Sequence, residues 1–228
     1  MNRTIALMLL LLGVASAHAQ DDKNKAANKE TAAIKEPDLR DELLDMEKEH
    51  VELRQSVIKQ LGEKGIPFGG SKPISDPALV KAFMEPTRKM NEMDRKHRSR
   101  MKEIVKKYGW PGKALVGRDG AHAAWLMVQY ADGDRAFQKR CLKLMKAAPK
   151  GEVDLQDIAY LTDSLLVADK KKQLYGTQLK IVKGAFQPRP IEDPANIDKR
   201  RAEMGMSPLA DYLDTAQAEY DRAAGLKK

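Results

Sequence analysis

AHAAWLMVQYA, Ala121 to Ala131, is apolar on nearly every side. A surface helix keeps a polar face, so this run predicts a central helix buried all round. A helix of that kind needs other helices as walls, and the sequence on both sides supplies them. Downstream, Asp134 is placed to cap a helix carrying Phe137, Cys141, Leu144, Met145 and Ala148, which ends at Pro149-Lys150-Gly151. Asp154 is placed to cap another, running through Ile158, Leu161 and Leu165.

Upstream, two long stripes appear. Leu39, Leu43, Met46, His50, Leu53 and Val57 recur at alternating spacings of four and three, one face of a helix that starts near Pro37-Asp38 and ends near Gly62. Four glycines and three prolines in GEKGIPFGGSKPISDP then demand a loop. Asp76 and Pro77 suit the start of a second helix, with the stripe Val80, Phe83, Thr87, Met90, Asp94, His97, Met101, Ile104 and Tyr108, stopped by Gly109 before Pro111. The pair is expected to form an antiparallel hairpin.

Charge supports that pairing. Residues 38–53 hold seven acidic side chains against Arg40 and Lys48, while residues 88–113 hold ten Lys or Arg against Glu92, Asp94 and Glu103. A basic run of net +7 in a chain of net +8 could serve nucleic acid or anionic lipid. The alternative is that it faces the acidic helix and is neutralised there. The run has no interleaved aromatics for base stacking, so no nucleic-acid partner is expected. Weak attraction to anionic envelope surfaces is retained.

The first nineteen residues, MNRTIALMLLLLGVASAHA, carry a positive Arg3, an apolar run from Ile5 to Val14, and the small-x-small pattern Ala17-His18-Ala19. That is the pattern of a signal peptide cut before Gln20, and the run is too short for the ~20 residues of a spanning helix. The expectation is an exported protein, periplasmic or secreted, with no transmembrane segment after cleavage. Cys141, the only cysteine, cannot form an internal disulfide. Its place on an apolar helix face reads as a small buried hydrophobe rather than a nucleophile.

QLYGTQLKIVKG, Gln173 to Gly184, breaks the helical pattern. Leu179, Ile181 and Phe186 alternate with polar residues around Gly184, which predicts a short β-hairpin. Asp193-Pro194 and Ser207-Pro208 start two last helices, the first stopped by Gly205. The fold class is therefore mainly α, a single-domain helical bundle with a long N-terminal hairpin and one small β-hairpin. Its expected divisions are a signal peptide at 1–19, a flexible polar linker at 20–36 and one domain at 37–225. Within that domain the helical hairpin spans 37–108, the helical core 109–166, the β-hairpin 173–189 and the C-terminal helices 193–225.

Four stretches, YGWPGKALVG (108–117), GEVDLQDIAYLTDSLLV (151–167), LYGTQ (174–178) and PIEDPANIDKRRAEMGMSPLADYL (190–213), come in one order. Together they resemble a bacterial family classified only as a domain of unknown function, marked by YGWP, YLTD and YGTQ motifs. The resemblance spans about 37–213 and implies no established reaction. Its pattern usually has His at Tyr130, Arg at Ser164 and Asn at His97, so this member alters those polar positions.

Two constellations could carry chemistry. Glu47-x-x-His50 and Asp94-x-x-His97 each set a carboxylate and an imidazole on one helix face, the arrangement by which bundles hold paired metals. The alternative is an Asp–His hydrogen-bonded pair inside the hairpin. The second constellation gathers the motif residues. Asp163 and Asp132 are the candidate acids or bases, and Trp110, Gln129, Tyr175, Thr177 and Gln178 are candidate ligand contacts in one pocket beside the hairpin. Structural duties compete: Asp132, Asp134 and Asp193 as helix caps, Asp163 as a backbone acceptor, Trp110 as a core anchor. No Ser-His-Asp signature, phosphate-cradling loop or CxxC spacing is present, and no cofactor is expected. The leading expectation is an exported binding or interaction module with a polar pocket near YGTQ, its ligand a small polar molecule or envelope component. The alternatives are a hydrolase acting on an envelope component through Asp163 or Asp132, and a metal-binding protein using His50, Asp94 and His97.

Overall fold

A computed structural model describes residues 34–63, 77–182 and 184–223. The signal-peptide expectation, most of the linker, the loop before Pro77 with Asp76, and the side chain of Phe83 lie outside the described residues. Helix α1 spans Pro37–Glu63, α2 Pro77–Tyr108, α3 Lys113–Gln129, α4 Arg135–Ala147 and α5 Leu155–Ala168. Strands β1, Leu179–Val182, and β2, Ala185–Pro188, follow, then α6, Ile197–Glu203, and α7, Leu209–Ala223. The molecule is mainly α, with one two-stranded antiparallel sheet among the described residues.

The apolar run is the axis of the core. Ala123, Ala124, Trp125, Leu126, Met127 and Val128 are all buried on α3. Helix α1 covers α3 with Leu39, Leu43 and Met46, and α2 adds Met101, Ile104 and Val105. The small Ala side chains of α3 let neighbours approach closely, while Trp125 packs edge-on to Tyr160 of α5, ring centroids 6.0 Å apart. Cys141 is fully buried, and burial pushes its thiol up to about 12, which removes the thiolate a nucleophile needs.

One position departs from the α1 stripe. Arg54, not Leu53, takes the inward place, 3 % exposed. A guanidinium tolerates that burial only with partners, and it finds them in the polar cluster below. The basic run of α2 is answered only in part by the acidic face of α1: Lys96 Nζ meets Glu49 at 3.1 Å and Arg100 Nη2 meets Glu42 at 2.9 Å.

The capping expectations divide. Asp134 accepts from the Phe137 amide at 3.0 Å and caps α4. Asp154 sits at the start of α5 but makes no side-chain cap, because its carboxylate is drawn 2.6 Å from Lys113. Asp193 likewise caps nothing; it adopts a left-handed backbone and holds Asn196 Nδ2 at 2.7 Å. In the β-ribbon Ile181 lies opposite Phe186, and Leu179 and Phe186 are buried as the alternation required.

Candidate functional site

The YLTD and YGTQ motifs meet. Asp163, fully buried on α5, receives the amides of Leu174 at 2.7 Å, Tyr175 at 3.1 Å and Thr177 at 3.0 Å, and the Thr177 hydroxyl at 3.1 Å. The carbonyls of the same loop are held from the other side. Arg200 Nε donates to Leu174 O at 2.9 Å, Arg201 Nη1 to Tyr175 O at 2.6 Å, and the Tyr212 hydroxyl to Thr177 O at 3.1 Å. Gln173, also fully buried, closes the loop: its Nε2 donates to Gln178 O at 3.0 Å while its Oε1 accepts from Gln178 N at 2.8 Å. Thr177 and Gln178 are buried and hydrogen-bonded to each other at 3.1 Å; Tyr175 is half-buried.

This is a clamp on irregular backbone. A buried loop must satisfy every N–H and C=O, and side chains from three helices do so here. Burial pushes the Asp163 carboxyl above the ordinary carboxylate range against the pull of the Thr177, Leu174 and Tyr175 donors. A raised carboxyl would suit a general acid, but both oxygens are already taken by donors from the loop. Sequence reasoning missed Gln173, Arg200, Arg201 and Tyr212. The only signal for the arginines was a charged pair, Arg200-Arg201, in a short helix beginning at the apolar Ile197.

Gly176 makes the loop possible. Its φ is +73°, and a Cβ there would come 2.8 Å from Leu209 Cδ1. Gly176→Ala is expected to destabilise the fold by about 1–2 kcal/mol, read as a fall in Tm.

The remaining candidates gather elsewhere, where the middle of the α1–α2 hairpin meets the end of α3. His50 Nε2 lies 3.1 Å from Asp94 Oδ1, so the pairing crosses the hairpin. Arg54 Nε donates to His50 Nδ1 at 3.1 Å, and Arg54 Nη2 donates to Asp94 at 3.2 Å, closing a triangle. An arginine only donates, which leaves Nδ1 of His50 bare and its proton on Nε2, directed at Asp94. Tyr130 covers the triangle: its ring stacks on His50 at 4.6 Å, and the Arg54 guanidinium carbon stands 3.7 Å from its centre. His97, its ring 5.2 Å from that of His50, pairs through Nε2 with Glu49 at 3.0 Å, while its Nδ1 is buried without a hydrogen-bond partner.

His50, Asp94 and His97 are thus neighbours but not a ligand set. Both nitrogens of His50 are engaged, and His97 turns its Nε2 to a different carboxylate. Among the described residues no group of three or more His, Cys, Asp and Glu is placed to hold a metal ion.

Asp132 belongs with this cluster rather than with the clamp. It is exposed, does not cap α4, accepts weakly from Gln138 Nε2 at 3.4 Å, and feels the charges of Asp94 and Arg54. Gln129, beside Tyr130 in sequence, is fully buried with neither amide atom hydrogen-bonded. Trp110 lies in the turn between α2 and α3, half-buried against the core, with its indole N–H also unpartnered. Of the residues expected to line one pocket, Asp163, Tyr175, Thr177 and Gln178 come together in the clamp, while Asp132 adjoins the polar cluster around Tyr130 and Trp110 lies in the α2–α3 turn.

The sequence pattern of DUF6624, a family of unknown function, matches residues 37–227. The chain belongs to that family. In this DUF6624 member the match begins at the first residue of α1 and covers both assemblies. No curated protein and no solved structure matches the chain.

Proposed function

We propose that this DUF6624 protein is an exported, non-catalytic binding module that takes a small polar ligand of the cell envelope at the Tyr130 cluster, with the YGTQ clamp as its scaffold. The leader-like first nineteen residues support export. The observation that carries the binding reading is the contrast in hydrogen bonding. At the clamp the amides and carbonyls of Leu174, Tyr175 and Thr177 are answered by side chains, and of the YLTD and YGTQ motifs only the Thr162 hydroxyl is buried without a partner. Around Tyr130, the buried His97 Nδ1 has none, nor has the amide of Gln129, its neighbour in sequence, while Asp94 and Asp132 stay in contact with solvent. Unanswered buried polar groups beside solvent-facing carboxylates are what a polar ligand needs for orientation.

The test is ligand-dependent melting of the chain from Gln20, across envelope sugars, short peptides and amines. A ligand at a hundredfold its Kd adds about 2.7 kcal/mol, which is roughly 5–10 °C in Tm for a chain of this size. Tyr130→Ala should abolish the shift and Gly176→Ala should keep it. A shift that survives Tyr130→Ala refutes the assignment.

Gln129→Met supplies an independent check. Replacing an unpartnered buried amide by an apolar side chain of similar volume is expected to stabilise the free protein by about 1 kcal/mol, while weakening the ligand-induced shift. Destabilisation on urea titration would show that the amide is already satisfied. The hydrolase alternative retains one specific support, the exposure of Asp132 beside Arg54 and Asp94. It predicts turnover that Asp132→Asn removes without changing Tm.

A further inference from the structure

The structure relocates the protein's excess positive charge. Part of the α2 run that stands out in the sequence is spent on partners: Arg88 reaches Glu85 and Glu92, Lys96 and Arg100 reach Glu49 and Glu42, and Lys102 reaches Asp134. Helix α4 has only one such counterweight, Asp169. From Arg135 to Lys150 there are six cations, Arg135, Lys139, Arg140, Lys143, Lys146 and Lys150, and no acidic residue, and all six are exposed. At 100° per residue, Arg135, Lys139, Lys143 and Lys146 fall within one ~80° arc along about 17 Å of helix. The opposite face, with Phe137, Cys141 and Met145, is buried in the core, so the cationic face is held outward.

A second cationic segment adjoins it. Asp169, at the end of α5, reaches Lys139 at 2.8 Å and Arg135 at 3.9 Å, and Lys170 to Lys172 follow it, all exposed. Asp169 is the one acidic residue in the two segments, against nine cations. Among the described residues, Arg140, Lys143, Lys146 and Lys150 pair with no carboxylate. These charges lie mostly within a few Debye lengths and act together on a broad anionic surface. The only aromatic residue of the segment, Phe137, is buried, so the face offers bases nothing to stack on. Four to eight basic side chains on one helix face, with no fork-shaped cradle for a single phosphate, match the chemistry of an anionic phospholipid surface.

We propose that the exposed face of α4, extended by Lys170 to Lys172, docks the protein onto anionic phospholipid headgroups. None of the side chains substituted to test it belongs to the Tyr130 cluster, so the two proposals can fail independently. No helix among the described residues is long and apolar enough to cross a membrane, and docking is peripheral and electrostatic.

The experiment is co-sedimentation of the chain from Gln20 with phosphatidylcholine vesicles, with and without 30 % phosphatidylglycerol, at low and high salt. Binding is expected only to the anionic vesicles, and salt should reverse it. Each basic side chain near such a surface is worth about fivefold in affinity, so Lys143→Gln/Lys146→Gln/Lys150→Gln together should cost on the order of a hundredfold. Lys89→Gln/Lys106→Gln on α2, a control of similar kind, should cost much less. Unchanged melting of both variants separates charge loss from misfolding. The proposal is overturned by equal loss in the two variants, by no binding to anionic vesicles at low salt, or by binding to duplex DNA in preference to vesicles.

Discussion

Asp163→Ala is expected to lower the unfolding free energy by about 4 kcal/mol, the largest effect of any single substitution argued from this structure. Three backbone amides, of Leu174, Tyr175 and Thr177, and the Thr177 hydroxyl all point at one carboxylate. Removing it strands donors that burial keeps from bulk water, and each stranded donor costs about 1–3 kcal/mol before relaxation. For a chain of this size that is a fall of roughly 8–16 °C in Tm. Asp163→Asn sharpens the test, because it preserves volume but turns an NH2 group toward donors. It should cost about 2–3 kcal/mol, with faster hydrogen exchange at 174, 175 and 177. An aspartate kept for acid–base work behaves in the opposite way, losing turnover while the fold stays as stable or gains. If Asp163→Asn unfolds within 1 kcal/mol of the parent in urea, the clamp is not what holds the loop.

How much of this could be read from the residues depends on the distance over which each cause acts. Helix α3 was legible because an all-round apolar run has only one place to go. The α1–α2 hairpin was legible from two stripes and opposite charges, and so was the Asp–His pair across it. The substitution of Arg54 for Leu53 on the inward face was not. Spacing counts apolar residues, whereas a guanidinium is buried only when partners such as His50, Asp94 and the Tyr130 ring converge on it. Asp154 and Asp193 show the converse error, since residue type suggests a cap but nearby cations or amides claim the side chain first. The motif residues of the clamp were visible as marks, yet their use was not. Their carbonyl partners, Arg200, Arg201 and Tyr212, lie 26 to 35 residues downstream, beyond any local periodicity. Ligand contacts and structural contacts use the same residue types, so only the hydrogen-bond partners separate them.

Acidification from pH 7.5 to 5 is expected to destabilise the protein, and the α1–α2 hairpin is where the loss originates. Burial is the first cause holding His50 below its ordinary pKa, with the Arg54 charge adding to it and Asp94 opposing. Burial also lowers His97, against the pull of Glu49. Both rings therefore take up protons at lower pH in the fold than in the unfolded chain, so stability falls as pH drops through 6.5 toward the folded values. Each tenfold separation in proton affinity is worth about 1.4 kcal/mol. The geometry gives the same sign. A proton on His50 Nδ1 would confront the Arg54 Nε–H that now donates to it, and a charged His97 would stand 5.2 Å from a charged His50. His122 works the other way. Burial lowers it but the Asp157 carboxylate raises it further, so its contribution is complete below pH 6.5 and fades as pH rises through its folded value. His50 and His97 should pull urea midpoints down between pH 7 and 5, with His122 and the raised Asp163 carboxyl opposing them. His97→Asn removes one of the two buried titrations and should flatten that slope, whereas His122→Asn should steepen it. A wild-type midpoint that is constant over this range, or a slope untouched by His97→Asn, would mean that the hairpin histidines are not neutral in the fold.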